Sequence, residues 1–270
     1  MLAGKTALIM GCSPNIGGGI AEVMAERGAA ICCVDANSDY AEKCAAALIA
    51  AGGRAVPIVC DVTNPEMVDA AVAAATHAFD RIDIAVNNAA IFNKKGLLDM
   101  PPAEWRRQID VILTGTFLAT QACVKQMVQQ GQGGSIVNIV STAGHQGEPR
   151  NIAYSTAKAG LLNFTRSAAM ELVRHRIRVN SLTPTATSPD DAIDRADRWG
   201  VTLPLPIGWE ERFQRYSNRI PMRRLPAPRD YGKAAAFLAS DDAAMITGED
   251  LRVDAGAVAK YWAWDPSDDG

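Results

Sequence analysis

Short runs in which nearly every residue is apolar alternate along the chain with longer stretches in which apolar residues return every three or four positions. The runs TALIM (6–10), AAICCVD (29–35), AVPIVCD (55–61), IDIAVNNA (82–89), GSIVNIVS (134–141) and IRVNSLTP (177–184) are rich in Val and Ile. Continuous apolar runs of this length predict parallel strands buried on both faces. The stretches between them predict helices: GGIAEVMAERG, SDYAEKCAAALIAAGG, PEMVDAAVAAATHAF, one long element from 102 to 131, and AYSTAKAGLLNFTRSAAMELVRH. Several close on glycine, a common helix stop. A last helix, RDYGKAAAFLAS, leads into a last strand, EDLRVD. Strand–helix alternation of this kind predicts an α/β fold with a doubly wound parallel sheet and helices on both faces. The rhythm breaks at 185–227, a segment rich in Pro, Arg and Trp that reads as an insertion over the sheet edge with one short helix near 208–218. One domain over 1–270 is expected, with that insertion inside it and a tail at 258–270.

Composition narrows the function classes. A chain of 270 residues can bury the core of one large domain. Its 48% apolar and 21% charged residues and its net charge of −3 are ordinary for a soluble globular protein. No basic block argues for nucleic acid or an acidic membrane as a partner. No apolar run reaches bilayer length, and the N-terminus lacks a signal-peptide core. The six cysteines are Cys12, Cys32, Cys33, Cys44, Cys60 and Cys123, none in a C-x-x-C pair, so no metal site is expected. Several fall in apolar runs, where cysteine acts as a small buried hydrophobe. These features fit a reduced, cytoplasmic protein.

The first candidate site is GCSPNIGGG, residues 11–19, which ends the first strand and opens the first helix. Ser13 stands where G-x-G-x-x-G has its second glycine, and no lysine follows to complete a P-loop. The position is still the one at which open α/β sheets bind ligands, beyond the carboxyl end of a strand. Glycines let the backbone approach a pyrophosphate, and a helix N-terminus offers N–H groups and a positive dipole end. Gly11, Asn15, Ile16 and Gly17 are the candidate contacts, Asn15 being expected to take the positive φ of a glycine. Alone, the loop reads equally well as a tight turn without a ligand. Asp35 changes that balance. It ends the second strand 18 residues past Gly17, where a carboxylate accepts hydrogen bonds from an adenosine ribose and repels a 2′-phosphate. No Arg or Lys follows in DANSD, so the pattern favours NAD over NADP.

The second candidate site is AYSTAKAG. Tyr154 and Lys158 are four residues apart and so share one helix face. Ser141 ends a buried strand 13 residues earlier. A phenol titrates near pH 10 unaided, and a close ammonium would lower it towards neutrality, making Tyr154 an acid/base. Ser141 would hold the substrate oxygen. An amphipathic helix with an incidental Tyr and Lys is the bland alternative, since this spacing is common.

With these residues in place, the chain resembles the short-chain dehydrogenase/reductases along nearly its whole length. The matching pieces come in the family's order. They are a glycine-rich loop at 10–17, Asp61-Val62, a near N-N-A-G at 87–90, Ser141, Tyr154 with Lys158, and a near P-G turn at 184–185. The resemblance implies a Rossmann-like sheet of about seven parallel strands, a nicotinamide cofactor and a homotetramer or homodimer. It implies Tyr154 as acid/base, Ser141 as substrate-oxygen ligand, and Lys158 as the residue that lowers the tyrosine's pKa and binds the cofactor ribose. Asp61 and Val62 would flank the adenine, and Asn88 and Ala89 the adenosine ribose side. The departures are specific. Met10 and Asn15 replace the loop's usual Thr and middle Gly, Ala90 the Gly of N-N-A-G, and Thr185 the Gly of the P-G turn. Pro189 stands where a carboxamide-binding threonine is usual, with Thr187 and Ser188 close enough to stand in, and Thr185 and Thr187 are candidate cofactor contacts. Ile112 replaces the asparagine that the family uses as its fourth catalytic residue, to anchor a relay water.

The insertion at 185–227 is expected to be a substrate lid, carrying Trp199, Leu203, Leu205, Ile207, Trp209, Phe213 and Tyr216. His145, Gln146, Trp199 and Trp209 are the candidate pocket residues, and the aromatic content favours an apolar substrate. Trp262 and Trp264 in the tail suggest a contact between subunits. The expected activity is NAD-dependent interconversion of a hydrophobic, cyclic secondary alcohol and its ketone. The rivals are a sugar or cis-dihydrodiol dehydrogenase on the same fold and, motivated by Ile112, a non-catalytic NAD-binding regulator or scaffold.

Overall fold

The computed structural model describes every residue except 206, 262, 264 and 266–270, so Trp262 and Trp264 lie outside the described residues. Seven parallel strands form one sheet: β1 (Thr6–Met10), β2 (Ala30–Asp35), β3 (Arg54–Val59), β4 (Ile84–Asn87), β5 (Gly134–Ile139), β6 (Ile177–Pro184) and β7 (Asp250–Val253), in the order 3-2-1-4-5-6-7. Order reverses between β1 and β4, which pair with Met10 opposite Asn87. A crevice opens beyond the carboxyl ends of the strands at such a reversal.

The central strands β1, β2 and β4 are apolar almost throughout because both faces are covered, while the edge strands β3 and β7 keep exposed positions. In β1, Ala7 and Ile9 enter one core, and Leu8 and Met10 the other. The first core is closed by α1 (Ile16–Glu26), α2 (Ser38–Ala50) and α9 (Pro228–Ala239). The second is closed by α3 (Pro65–Phe79), α5 (Gly115–Gln130) and α6 (Ile152–Leu172). Helices α1 and α9 meet unusually closely, glycine to glycine: a Cβ on Gly19 would lie 2.6 Å from Pro228, and one on Gly232 would lie 2.6 Å from the Gly19 carbonyl oxygen. All six cysteines are free and buried, as their setting in apolar runs predicts.

Two stretches differ from the sequence pattern. The long element is α4 (Pro102–Ile109), a π-helical turn (Asp110–Thr114) and then α5, and it is the turn that carries Ile112. Residues 102–130 together are long and apolar enough to cross a membrane by length and composition, but they pack against the sheet, α3 and α6 as a core helix does. The insertion contains two helices rather than one, α7 (Asp190–Trp199) and α8 (Trp209–Arg219). Helix α7 escapes the hydropathy pattern because its buried stripe is Ala192, Arg195, Ala196 and Trp199, an arginine included.

Candidate active site

The glycine-rich loop is built by close backbone contacts. Gly11 takes φ +92°, and a Cβ there would lie 2.9 Å from the backbone nitrogen of Ala89. A Cβ on Gly17 would lie 1.9 Å from the carbonyl oxygen of Gly11, which also accepts a hydrogen bond from Asn88 Nδ2 at 2.6 Å. The end of β4 is thereby stitched to the loop after β1, which explains Gly11, Gly17, Asn88 and Ala89 together. Asn15 is placed differently from expectation. It takes φ −93°, so the position of the family's middle glycine makes no demand for a left-handed conformation here. The N–H groups of Ile16 and Gly17 lie in the first turn of α1, where no acceptor exists within the helix.

Asp35 ends β2 beside this loop, half-buried, with Oδ1 accepting from the Asn37 N–H at 3.0 Å. Burial pushes its carboxyl above the ordinary value, opposed by backbone N–H bonds from Asn37, Cys12 and Ala36. Asp61 is exposed and accepts from both the N–H and the hydroxyl of Thr63. Val62 is buried against Gly115, whose missing Cβ would lie 2.7 Å from it. A turn with two free helical N–H groups, a ribose-height carboxylate and an apolar wall is a chemically fitting cradle for a dinucleotide.

Ser141, Tyr154 and Lys158 are brought together. The 3₁₀ turn after Ser141 (Thr142–Gly144) crosses α6 so tightly that a Cβ on Gly144 would lie 2.9 Å from the Lys158 backbone. The Ser141 hydroxyl accepts from the Ala143 N–H at 3.1 Å and stands beside the Tyr154 hydroxyl, whose pKa it acts to lower. Lys158 is 2% exposed, its Nζ donating to the Ile139 carbonyl and lying 5.7 Å from the Tyr154 ring centroid. The electrostatics differ from the sequence expectation. Burial pushes the Tyr154 hydroxyl above its ordinary value, with the Ser141 bond acting the other way, and burial pulls Lys158 down to about 7. Both groups sit in a low-dielectric site that opposes charge, and the lysine is turned towards a carbonyl rather than the phenol oxygen.

Ile112 is fully buried and packs with Val140, Ala157 and Leu161, with Tyr154 on the cluster's rim. Its carbonyl accepts from the Thr116 hydroxyl at 2.7 Å. The space an asparagine would use is thus filled by aliphatic packing.

The pocket residues separate. Phe92, from the loop after β4, stacks edge-on against Tyr154 at 6.0 Å between centroids. The sequence reading missed it, although its place just after the N-N-A segment was a usable signal. His145 turns to the sheet, Nε2 lying 3.0 Å from Thr183 Oγ1 and 3.2 Å from Asp250 Oδ2. Gln146 is exposed. Trp209 begins an aromatic face on α8, edge-on to Phe213, which is edge-on to Tyr216. Trp199 is not among them: it is 4% exposed and packed in the first core, against Gly18. Thr185 and Thr187 lie at the end of β6, the Thr187 hydroxyl donating to the Thr185 carbonyl at 3.2 Å. Among the described residues no cluster of His, Cys, Asp and Glu is arranged to hold a metal.

Comparison with known proteins agrees with this geometry. A family model described as enoyl-(acyl carrier protein) reductase matches residues 11–258. The chain is 36% identical to an L-rhamnose 1-dehydrogenase (NAD(P)(+)) of a Sphingomonas strain, covering 95% of this chain and 97% of that one. It is 36% identical to a trans-4-hydroxycyclohexanecarboxylate dehydrogenase of Sinomonas cyclohexanicum, covering 96% and 94%. A crystal structure of a short-chain type dehydrogenase/reductase from Mycobacterium marinum superposes with a TM-score of 0.82 at 34% identity, covering 94% and 95%.

Proposed function

The chain belongs to the short-chain dehydrogenase/reductase family and is an NAD(P)-dependent alcohol dehydrogenase or ketone reductase, and from that premise we propose that its substrate is a hydrophobic, cyclic secondary alcohol and its preferred cofactor NAD. The observation that carries this reading is the Ser141–Tyr154–Lys158 cluster walled by Phe92. An aromatic ring edge-on to the acid/base suits a flat apolar ring better than a hydroxyl-rich chain.

Tyr154 Oη, kept protonated by burial, would give its proton to the ketone oxygen in reduction, and in oxidation would take the alcohol proton as its own passes on by way of Lys158. Ser141 Oγ, which stands beside the phenol, would donate to the substrate oxygen as the alcohol enters. A nicotinamide cofactor, held by loop 11–17 and Asp35, would supply the hydride acceptor or donor. Lys158 Nζ, with an affinity for protons near neutrality, accepts and releases a proton behind the tyrosine within the working pH range. The half-buried Asp35 would accept from a ribose 2′-hydroxyl and repel a phosphate in its place. Loop 11–17 would hold the pyrophosphate at the N-terminus of α1. Single-domain organisation over 1–270, a lid within 185–227, a cytoplasmic setting and assembly into a homotetramer or homodimer belong to the same reading. Six buried free thiols fit a reducing compartment, and Phe117, Val128, Met170 and Val173, exposed on α5, α6 and the turn after it, supply apolar surface for a partner subunit.

A second reading, a sugar dehydrogenase, is favoured by the L-rhamnose 1-dehydrogenase relative. Reduction of NAD⁺ and NADP⁺ followed by absorbance over a panel of cyclic secondary alcohols, steroids, aldoses and tetritols separates the two. Turnover confined to the sugars refutes the hydrophobic-substrate reading.

A further inference from the structure

Helix α7 has the sequence DDAIDRADRW, yet Arg195 within it has no solvent exposure. Burying a guanidinium costs several kcal/mol unless it is paired and hydrogen-bonded. Its partners come from three places. Nη2 donates to Glu22 on α1 at 2.7 Å and to Asp191, one turn back on α7, at 3.1 Å. Nη1 donates to the backbone carbonyl of Pro14 at 3.0 Å. That carbonyl belongs to the glycine-rich loop. Helix α7 comes so near because residue 18 is glycine: a Cβ there would lie 2.8 Å from Arg195 Cδ and 2.9 Å from Trp199 Cη2. The chain leaving α7 is tied once more, the Tyr40 hydroxyl at the start of α2 donating to the Thr202 carbonyl at 3.4 Å. The first half of the insertion therefore touches both the loop after β1 and the helix that follows Asp35.

We propose that Arg195 is a positioning residue for the nucleotide: through the Pro14 carbonyl it sets the shape of loop 11–17, so that α7 is a fixed part of the cofactor site and the lid proper begins beyond Gly200. The proposal rests on the cofactor reading of that loop. Its physical basis is the planar trans peptide, in which the carbonyl and the following N–H point in opposite directions. The bond between residues 14 and 15 is trans. Holding the Pro14 oxygen towards α7 therefore aims the Asn15 N–H away from α7, out of the loop. Asn15 itself has a negative φ, so no glycine-only conformation enforces that orientation from within. The arginine supplies it from outside. Glu22 has other cations, Arg198 at 3.0 Å and Arg229 at 3.8 Å, so the contact with Pro14 is what Arg195 alone provides.

The test is titration of the purified protein with NADH and with NADPH, followed by nucleotide fluorescence. Arg195→Met keeps the apolar stem and leaves Glu22 paired. The Kd for NADH is expected to rise at least tenfold, and the KM for the nucleotide with it, while kcat at saturating nucleotide falls far less. Arg195→Lys, unable to span all three partners, is expected between the two. Arg198→Met, which shares Glu22 but does not touch the loop, should bind NADH as the wild type does. If Arg195→Met does not fold, Arg195→Lys, which keeps the charge but not the reach to the Pro14 carbonyl, is read in its place and should raise Kd in the same direction. A folded Arg195→Met protein, or failing it Arg195→Lys, that binds NADH as tightly as wild type overturns the proposal alone, as does equal weakening in Arg198→Met. A wild type that binds neither nucleotide overturns the cofactor reading, and the proposal with it.

Discussion

Replacing Ile112 by asparagine introduces the amide that the family resemblance leads one to expect at this position, which here lies in the π-helical turn, and its cost can be worked from the packing. Ile112 is fully buried between Val140, Ala157 and Leu161. Removing that side chain from the cluster forfeits about 1.5–3 kcal/mol of apolar burial. The incoming amide finds the nearest hydroxyl, Thr116, already donating to the backbone carbonyl of the same residue. An unpaired buried amide costs a further 1–3 kcal/mol, roughly. The sum, about 2.5–6 kcal/mol, is a large share of the roughly 5–15 kcal/mol that stabilises a domain. For a domain of this size each kcal/mol moves the Tm by about 2–4 °C, so a drop of about 5–24 °C is expected. The assay is paired: thermal or urea unfolding for stability, and turnover with the best alcohol from the panel. Ile112→Asn should be markedly less stable and no faster. A variant with unchanged Tm refutes the reasoning. It would mean that the amide had found a partner, for which Gln108 on α4, buried with both amide atoms unpartnered, is the candidate. A faster variant would refute the view that this site works without a side-chain amide.

Tyr154→Phe removes one oxygen and little volume, so turnover should fall by about 10²–10⁴-fold with NADH binding retained; near-wild-type turnover would dismiss the acid/base assignment. Asp35 should give NAD at least a tenfold advantage in kcat/KM over NADP, about 1.4 kcal/mol, and Asp35→Ser should narrow it; equal use of both nucleotides by the wild type would refute this. Lys158 titrates near 7 when folded against an ordinary 10.5. Its depressed value means that the unfolded chain binds more protons between those pH values, so stability falls as pH is lowered from about 10 towards about 7. Unfolding of the nucleotide-free protein between pH 7 and 9.5 should show that slope, up to about 5 kcal/mol over the full window, and Lys158→Met should flatten it. Hydrogen exchange should find 190–199 protected in the free protein, with protection gained on adding NADH and substrate confined to 201–219. Exchange in α7 as fast as in α8 would contradict its anchoring by Arg195.

The central strands were legible because both of their faces are buried and apolar residues run almost unbroken, a signal that needs no knowledge of neighbours; the edge strands β3 and β7 keep exposed positions, Arg54 and Arg252 among them. The acid/base cluster was legible because Tyr154 and Lys158 share one helix, and their spacing places them. What the chain order hid was everything that depends on one element meeting another. Helix α7 presents an arginine to the interior, and only the position of Glu22 on α1 makes that burial tolerable. Trp199 looked like a pocket residue because aromatic residues in an insertion resemble a lid, but Gly18 opens a place for it in the core. Asn15 looked like a glycine substitute, yet its φ is negative. The expected lowering of the Tyr154 pKa followed from the nearness of a charge; the fold adds burial, which pulls the lysine down and pushes the tyrosine up.

The glycine-to-glycine contact of α1 with α9 joins the first helix of the chain to the last. While the chain is being synthesised, β1, α1 and β2 emerge early, but the residues that cover α1 from 228 to 239 emerge only near the end. Until then the helix that opens at the glycine-rich loop has one of its flanks exposed, and the crevice beside it has no finished wall. A chain halted before residue 228 would carry Ser141, Tyr154 and Lys158 and nearly the whole sheet, yet it should aggregate or be degraded rather than work at reduced rate.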